Sequence, residues 1–335
     1  MKLKIIIADN GFKAHKPFII KSFEKNNSFE EKVIYNFNDN IEFNTLEKIF
    51  NKLRIPLDTT SFNQRIIDAV KDFNPDIVFI IKGNNVFKKT LKKIKKIDHR
   101  IKIISWSADN MIKKHNTSFY FDISISSYDI HFTTKSNIID SLYSKGAKKV
   151  IFLNKAYSKY DHYPLKYNKD YDFNVLFIGS AEKNRYESMK KIAQKGIEVN
   201  IFGNMWTREY KSIKHLIIHR NPLLGDEYRN AISSSKISLC FLRKINDDLQ
   251  TDRTMEIPAC RGFMLAERTK EHENLFKENE EAEFFSSDEE LVQKTLYYLS
   301  NKKQIDKIKN KGYERVLKSN YSFDDMVNKI KSHLK

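Results

Sequence analysis

The chain is short of cysteine, with two in 335 residues, Cys240 and Cys260, both in apolar surroundings. Two thiols build no disulfide framework and no zinc-ligand spacing, and they suit a reducing compartment. No apolar run reaches the length needed to span a bilayer. The opening stretch Lys2-Leu3-Lys4-Ile5-Ile6-Ile7-Ala8 is too short for a signal-peptide core and reads as a first strand. No G-x-G-x-x-G follows either leading strand, which argues against a dinucleotide-dependent dehydrogenase. Basic residues interleaved with stacking aromatics are missing too, so the net charge of +17 does not point to nucleic acid. The lysines are spread over the whole chain, and the densest run, Lys88 to Arg100, fits an amphipathic helix with a solvated face. Such a charge suits an anionic acceptor or docking at a membrane surface, in a protein expected in the cytoplasm or peripherally at the inner face of the membrane.

What is present is an alternation of buried-type strands and helices. Strands are expected at Leu3–Ala8, Lys32–Phe37, Pro75–Gly83, Lys102–Trp106, Ile123–Ser126, Ile130–Thr133 and Lys149–Leu153. Helical spacing marks Pro17–Lys25, Ile41–Leu57, Ser61–Asp72 and the lysine-rich run. A tyrosine- and lysine-rich stretch, Asn154 to Asp172, carries no periodicity and reads as a linker. The pattern then restarts, with strands at Phe173–Ile178, Glu198–Phe202, Leu216–Ile218, Lys236–Leu242, Phe263–Ala266 and a short one from Phe284, and with helices between and after them. Strands alternating with helices imply α/β domains with parallel sheets. The expected architecture is two Rossmann-like domains facing a central cleft, 1–165 and 166–318, with a C-terminal helix in 319–335 that can cross back to the first domain.

Ligands of open parallel sheets bind beyond the carboxyl ends of the strands. Polar loops fall at such ends at 9–15, 83–85, 107–110, 179–185, 203–206 and 243–256. The stretch Asp248 to Glu267 is the most informative. It reads as a polar loop, a helix capped by Thr251 or Asp252, a stop at Gly262 and a buried strand. Arg253 and Glu256, three apart, share one face near the helix start. A cation beside a helix N-terminus suits phosphate, and a carboxylate suits sugar hydroxyls; a solvated surface pair would look the same in sequence.

These motifs, taken in order, resemble GT-B glycosyltransferases, particularly the CgeB-like (spore-maturation type) branch. The resemblance rests on Phe177-Ile178-Gly179-Ser180 with Arg185, on Ile201-Phe202-Gly203-Asn204-Met205-Trp206, and on Thr251 through Leu265. Glu271–Phe276 and Phe284–Leu291 also fit, as does Trp106-Ser107-Ala108-Asp109-Asn110 in the first half. The resemblance implies that the second half holds a nucleotide sugar, such as a UDP-hexose. The first half would present a hydroxyl of a cell-surface glycan, a lipid-linked acceptor or a protein. Many such transferases carry paired acids as E-x7-E; here Glu256 matches the second, while the shorter Asp248 stands at the first. By resemblance Glu256 binds the ribose hydroxyls, and Thr251, Asp252 and Arg253 sit near the diphosphate or sugar.

A departing nucleoside diphosphate gathers negative charge, and without a metal it must be met by cations, helix N-termini and backbone N–H groups. Arg185, Arg243, Lys244 and Arg253 are the cations at expected strand ends. Gly179-Ser180 and Gly203 let backbone approach the donor, though an ordinary turn has the same look. Trp206 can stack on a base or sugar, or pack in its own turn. No Asp-x-Asp lies at a strand end, so neither a metal nor another cofactor is expected. Inversion at the anomeric carbon would need a base. Asp109 is the first candidate, with a helix N-cap as its alternative role, and His15 is the second. His131, on an apolar strand, reads as core. A nucleotide-sugar epimerase of similar architecture, or a nucleotide-binding module without turnover, would share most of these features.

Overall fold

The computed structural model describes residues 2–12, 17–37 and 43–334, with only the backbone of Phe12. The chain forms two compact units, Met1–Asn154 with Phe323–Lys335, and Lys155–Ser322. The division thus falls after the first residue of the expected linker, whose residues 155–172 belong to the second unit.

The first unit is built on strands β1 (Leu3–Phe12), β2 (Phe29–Phe37), β3 (Ile77–Ile81), β4 (Lys102–Ser107), β5 (Ile130–Thr133) and β6 (Val150–Phe152), in the order β2-β1-β3-β4-β5-β6. All these neighbours pair in parallel. Ile5, Ile6, Ile7 and Ala8 are fully buried, as are Val78, Phe79 and Ile80. Strands covered on both faces need apolar residues at consecutive positions, which is why they read as unbroken runs. The helices are α1 (Phe18–Glu24), α2 (Thr45–Lys52), α3 (Phe62–Phe73), α4 (Lys88–Ile97), α5 (Phe119–Ser124) and α6 (Ile139–Ser144).

Ile123–Ser126, expected as a strand, is helical: α5 runs into a 3-10 turn at Ile125–Ser127. The Ser118 side chain accepts from the Phe121 N–H at 3.1 Å and starts the helix. Phe121 and Ile125, four apart, then bury together beside Met111 and Ile138. A cap and a helical pair override the strand preference of isoleucine.

The second unit contains β7 (Val175–Ile178), α7 (Lys183–Ala193), β8 (Val199–Phe202), β9 (Leu216–Ile218), α8 (Gly225–Ser234) and β10 (Ile237–Cys240). It continues with α9 (Asp252–Ala259), β11 (Met264–Glu267), α10 (Lys270–Leu275), β12 (Glu283–Phe285), α11 (Asp288–Leu299) and α12 (Lys302–Lys318). Its strands pair in parallel in the order β12-β11-β10-β7-β8-β9. The first strand of the unit therefore lies in the middle, and the strand order reverses at β7 and β10. In such sheets the crevice at the reversal is where ligands bind.

Helix α13 (Phe323–Ser332) belongs to the first unit, where it packs on α1. The Phe18 and Phe323 rings lie 6.0 Å apart, and Asn26 donates to Asn328 at 3.0 Å.

Candidate active site

The reversal point of the second unit is tied together by arginines. Arg185, from the first turn of α7, donates to the Ser180 carbonyl after β7 and the Leu242 carbonyl after β10, both at 2.9 Å. It is 5% exposed, pairs with Glu182 at 3.1 Å, and lies over the Phe177 ring. Burial lowers its pKa from the ordinary arginine value. Expected as a phosphate cation, Arg185 instead spends its guanidinium on the two loop carbonyls, an arrangement that fixes their spacing. Arg253, at the start of α9, donates through Nε to the Ile178 carbonyl at 3.1 Å.

The loops after β7 and β8 touch. The Gly179 N–H donates to the Phe202 carbonyl, and the Gly179 carbonyl accepts from Trp206 Nε1, both at 2.9 Å. Gly203 has a φ of +137°, and a Cβ there would stand 2.2 Å from the Gly179 oxygen. Only glycine fits. Trp206 is 4% exposed and meets Phe177 and Tyr210 edge-on, so its ring is packed in its own turn.

Helix α9 is held rigidly. The Thr251 N–H donates to Thr254 Oγ1 at 3.0 Å, closing its first turn. Thr254 Oγ1 then lies 2.9 Å from His272 Nε2, and His272 Nδ1 lies 2.6 Å from the Glu267 carbonyl. The carbonyl requires the proton on Nδ1, so Nε2 accepts from Thr254. Burial pushes the His272 pKa down to about 4 and keeps the ring neutral. Gly262 does not supply the left-handed residue after the helix; Arg261 does, with φ +54°. Gly262 is small because a Cβ would meet the Ile232 side chain at 2.5 Å.

On the other face of α9, Glu256 is buried, and its Oε2 accepts from the Tyr228 hydroxyl at 2.6 Å and from Arg253. Burial drives the Tyr228 pKa well up, so the phenol keeps its proton. The Arg253 guanidinium lies 5.0 Å from the Tyr228 ring centre. His162 Nδ1 accepts from the Ser158 N–H at 3.0 Å, which leaves the proton on Nε2, 3.5 Å from Glu256 Oε1. Burial lowers the His162 pKa against the pull of the carboxylate. Tyr228 and His162 were not among the sequence candidates. One comes from α8, and the other from the aperiodic stretch expected to be a linker, which is pinned along α8 by the Leu165 and Asn168 N–H groups to Ser233 and Ser234.

The remaining expected cations lie on the loop after β10. Arg243 and Lys244 are exposed, with Arg243 3.7 Å from Glu182 and Lys244 2.7 Å from Glu267. Asp248 accepts from Asn246 at 2.7 Å. Asp252 is exposed and pairs at 3.1 Å with Lys155, whose side chain is buried. Lys155 is a further cation at the α9 N-terminus that the sequence did not single out.

In the first unit, Asp109 follows β4 and its carboxylate pairs with Lys82 at 2.8 Å. Lys82 and Gly83, directly after β3, both have positive φ, +65° and +61°. No helix starts at Asp109, which removes the N-cap role; Asn110 accepts the Ile112 N–H at 3.1 Å instead. His15 lies outside the described residues. His131 is core: Nε2 meets the Ile125 carbonyl at 2.8 Å, Nδ1 meets Ser105 Oγ at 2.6 Å, and burial lowers its pKa to about 4. A cavity of about 490 Å³ lies beyond β1 and β3, lined in part by Asn36, Asn51, Arg54, Asn85 and Thr117. Asn85 Oδ1 and Thr117 Oγ1 are buried there without a partner among the described residues. Among those residues no cluster of three or more His, Cys, Asp and Glu is placed to hold a metal ion.

Residues 185–332 match the model of a family described as glycosyl transferase-like. No curated protein sequence matches the chain. Among solved structures, sucrose-phosphate synthase from Thermosynechococcus elongatus superposes with a TM-score of 0.67 over 99% of both chains, at 10% identity. A glycosyltransferase from Rickettsia africae superposes at 0.67 over 100% of this chain and 98% of its own, at 14% identity. HepE of Anabaena, in complex with UDP-glucose, gives 0.67 over 99% of both chains at 8% identity. At such identities the likeness is one of fold. The chain therefore has the two-sheet α/β fold of GT-B glycosyltransferases, and its residues 185–332 are similar to the glycosyl transferase-like family.

Proposed function

We propose that the protein transfers a sugar from a nucleoside-diphosphate sugar, such as a UDP-hexose, to a hydroxyl of a glycan, lipid-linked or protein acceptor. We place it in the CgeB-like branch and assign it no metal or other cofactor. One observation carries this reading. The Arg253–Glu256 pair stands at the first turn of α9, beside the end of β7, where the strand order reverses in the domain that matches the glycosyl transferase-like family.

The second unit binds the donor in this reading. Glu256 takes the ribose hydroxyls, its orientation set by Tyr228 and His162. Arg253, Lys155, Arg243 and Lys244, with the first turn of α9 and the Gly179-Ser180 backbone, face the charge that grows on the departing diphosphate. Arg185 and Trp206 act by holding the loops after β7, β8 and β10 in register. Asp109, paired with Lys82, accepts the proton of the attacking hydroxyl.

The test is a panel of nucleotide sugars followed by thermal shift and nucleotide release. Donor-selective stabilisation with slow hydrolysis supports the transferase. Sugar isomerisation with no nucleotide released would assign an epimerase, and binding without turnover in the presence of an acceptor panel would assign a non-catalytic module.

A further inference from the structure

Helix α2 turns its two sides to different surroundings. Glu47 and Asn51 line the 490 Å³ cavity. Leu46, Ile49 and Leu53, at helical spacing, are 56%, 49% and 61% exposed. Phe119 and Ile123 of α5 are 50% and 39% exposed. The two helices adjoin: the Phe119 N–H donates to the Arg54 carbonyl at 2.7 Å, and Arg54 pairs with Asp122. Tyr120 of α5 in turn meets Phe87, at the start of α4, with ring centres 4.6 Å apart.

Among the described residues, the exposed charged side chains of α2, of the loop before α5 and of the start of α4 are basic. Lys48 and Lys52 on α2, Lys114 and His115 before α5, and Lys89 on α4 are exposed. The acid of α2 is turned away: Glu47 is 7% exposed and accepts from the Asn44 N–H and the Thr59 hydroxyl. The acid of α5 is neutralised by Arg54 and Lys145. Exposed leucine, isoleucine and phenylalanine within a rim of lysines is the composition of a segment that lies in a bilayer interface, not of an ordinary solvated helix.

We propose that α2 and the start of α5 form a docking surface for an anionic lipid bilayer, with Leu46, Ile49, Leu53 and Phe119 entering the headgroup layer. The partner is chosen by charge complementarity: the rim lysines attract anionic headgroups, and the apolar side chains hold the contact once made. The cavity beneath α2 then opens beside the lipid surface, which favours the lipid-linked class among the acceptors considered above. That last step rests on the transferase reading; the docking does not.

The experiment is flotation of the full chain with vesicles of phosphatidylcholine alone and with vesicles that also carry phosphatidylglycerol. The expected result is binding to the anionic vesicles, weakened by salt, and lowered roughly tenfold or more by the combined L46Q, I49Q and L53Q. These side chains are exposed, so the variant keeps the wild-type melting temperature, which is measured in parallel. Exchanging Leu296 and Leu317, exposed in the second unit, for glutamine leaves binding unchanged. Absence of binding at low salt overturns the proposal. So does equal loss in both variants, which would mean unspecific adhesion. A dimer in sedimentation that the α2 variant abolishes would assign the surface to a second copy of the chain instead. Vesicle binding is read without turnover, so its failure leaves the donor assignments standing.

Discussion

Replacing Glu256 separates its structural work from its proposed contact with the donor. In Glu256→Ala, the Tyr228 hydroxyl and the Arg253 guanidinium lose their shared acceptor. Removing one partner of a buried charged network costs about 3–5 kcal/mol. Arg253 is half-buried and can turn part of its charge to water, which places the loss near the lower end, about 3 kcal/mol. For a domain of this size that is a fall in melting temperature of about 6–12 °C. Stability should therefore fall in this variant along with any loss of binding. Glu256→Gln keeps the shape and one acceptor, and trades a charged bond for a neutral one, a loss of about 1 kcal/mol. If the carboxylate also takes the ribose hydroxyls, the same variant loses a charge-assisted contact of about 1.5–3 kcal/mol, or roughly ten- to a hundredfold in nucleotide affinity. Thermal unfolding measures the first quantity and calorimetric titration with UDP and a UDP-sugar the second. A Glu256→Gln protein with wild-type nucleotide affinity refutes the ribose assignment. A Glu256→Ala protein that melts with the wild type refutes the network argument.

Asp109→Asn should abolish transfer while sparing donor binding, read as turnover against titration; normal turnover rules Asp109 out as the base. Gly203→Ala should destabilise the second unit by about 2–5 kcal/mol, from backbone strain and the clash with the Gly179 oxygen together, and denaturant unfolding at unchanged m-value measures it. His131 and His272 have folded pKa values near 4, below the ordinary 6.5, so the unfolded chain takes up protons first as pH falls. Their contribution is complete above pH 6.5 and is lost between 6.5 and about 4, up to about 3 kcal/mol for each. Unfolding free energy followed over that range should therefore decline steeply, and His272→Gln should flatten the slope.

The strands were legible because a parallel sheet covered on both faces needs uninterrupted apolar runs, as at Ile5–Ala8 and Ile77–Ile81. The Arg253–Glu256 pair was legible because three-residue spacing puts both on one helical face. What surrounds them was not. Tyr228 is 28 residues from Glu256 and on another helix, and His162 lies in a stretch without periodicity. Such partners are set by tertiary packing, and no local pattern carries them. The fate of Arg185 was hidden for a related reason. An arginine after a strand-end glycine looks the same whether it faces phosphate or two backbone carbonyls. At Ile123–Ser126 the isoleucines suggested a strand, while the deciding residue was the serine five positions earlier.

The return of α13 to α1 bears on how the protein is made. The surface of α1 that receives Phe323 is synthesised long before its cover, the helix that buries Phe323, Met326, Val327 and Ile330. At ordinary synthesis rates, on the order of ten to thirty seconds separate Asn154 from Phe323. Through that interval the nascent first unit shows an apolar groove to the cell, and the second unit completes its own sheet before the first is sealed. A chaperone that binds exposed apolar surface would meet this protein at α1, and a ribosome that stops short of residue 323 would release a first unit left open on that side.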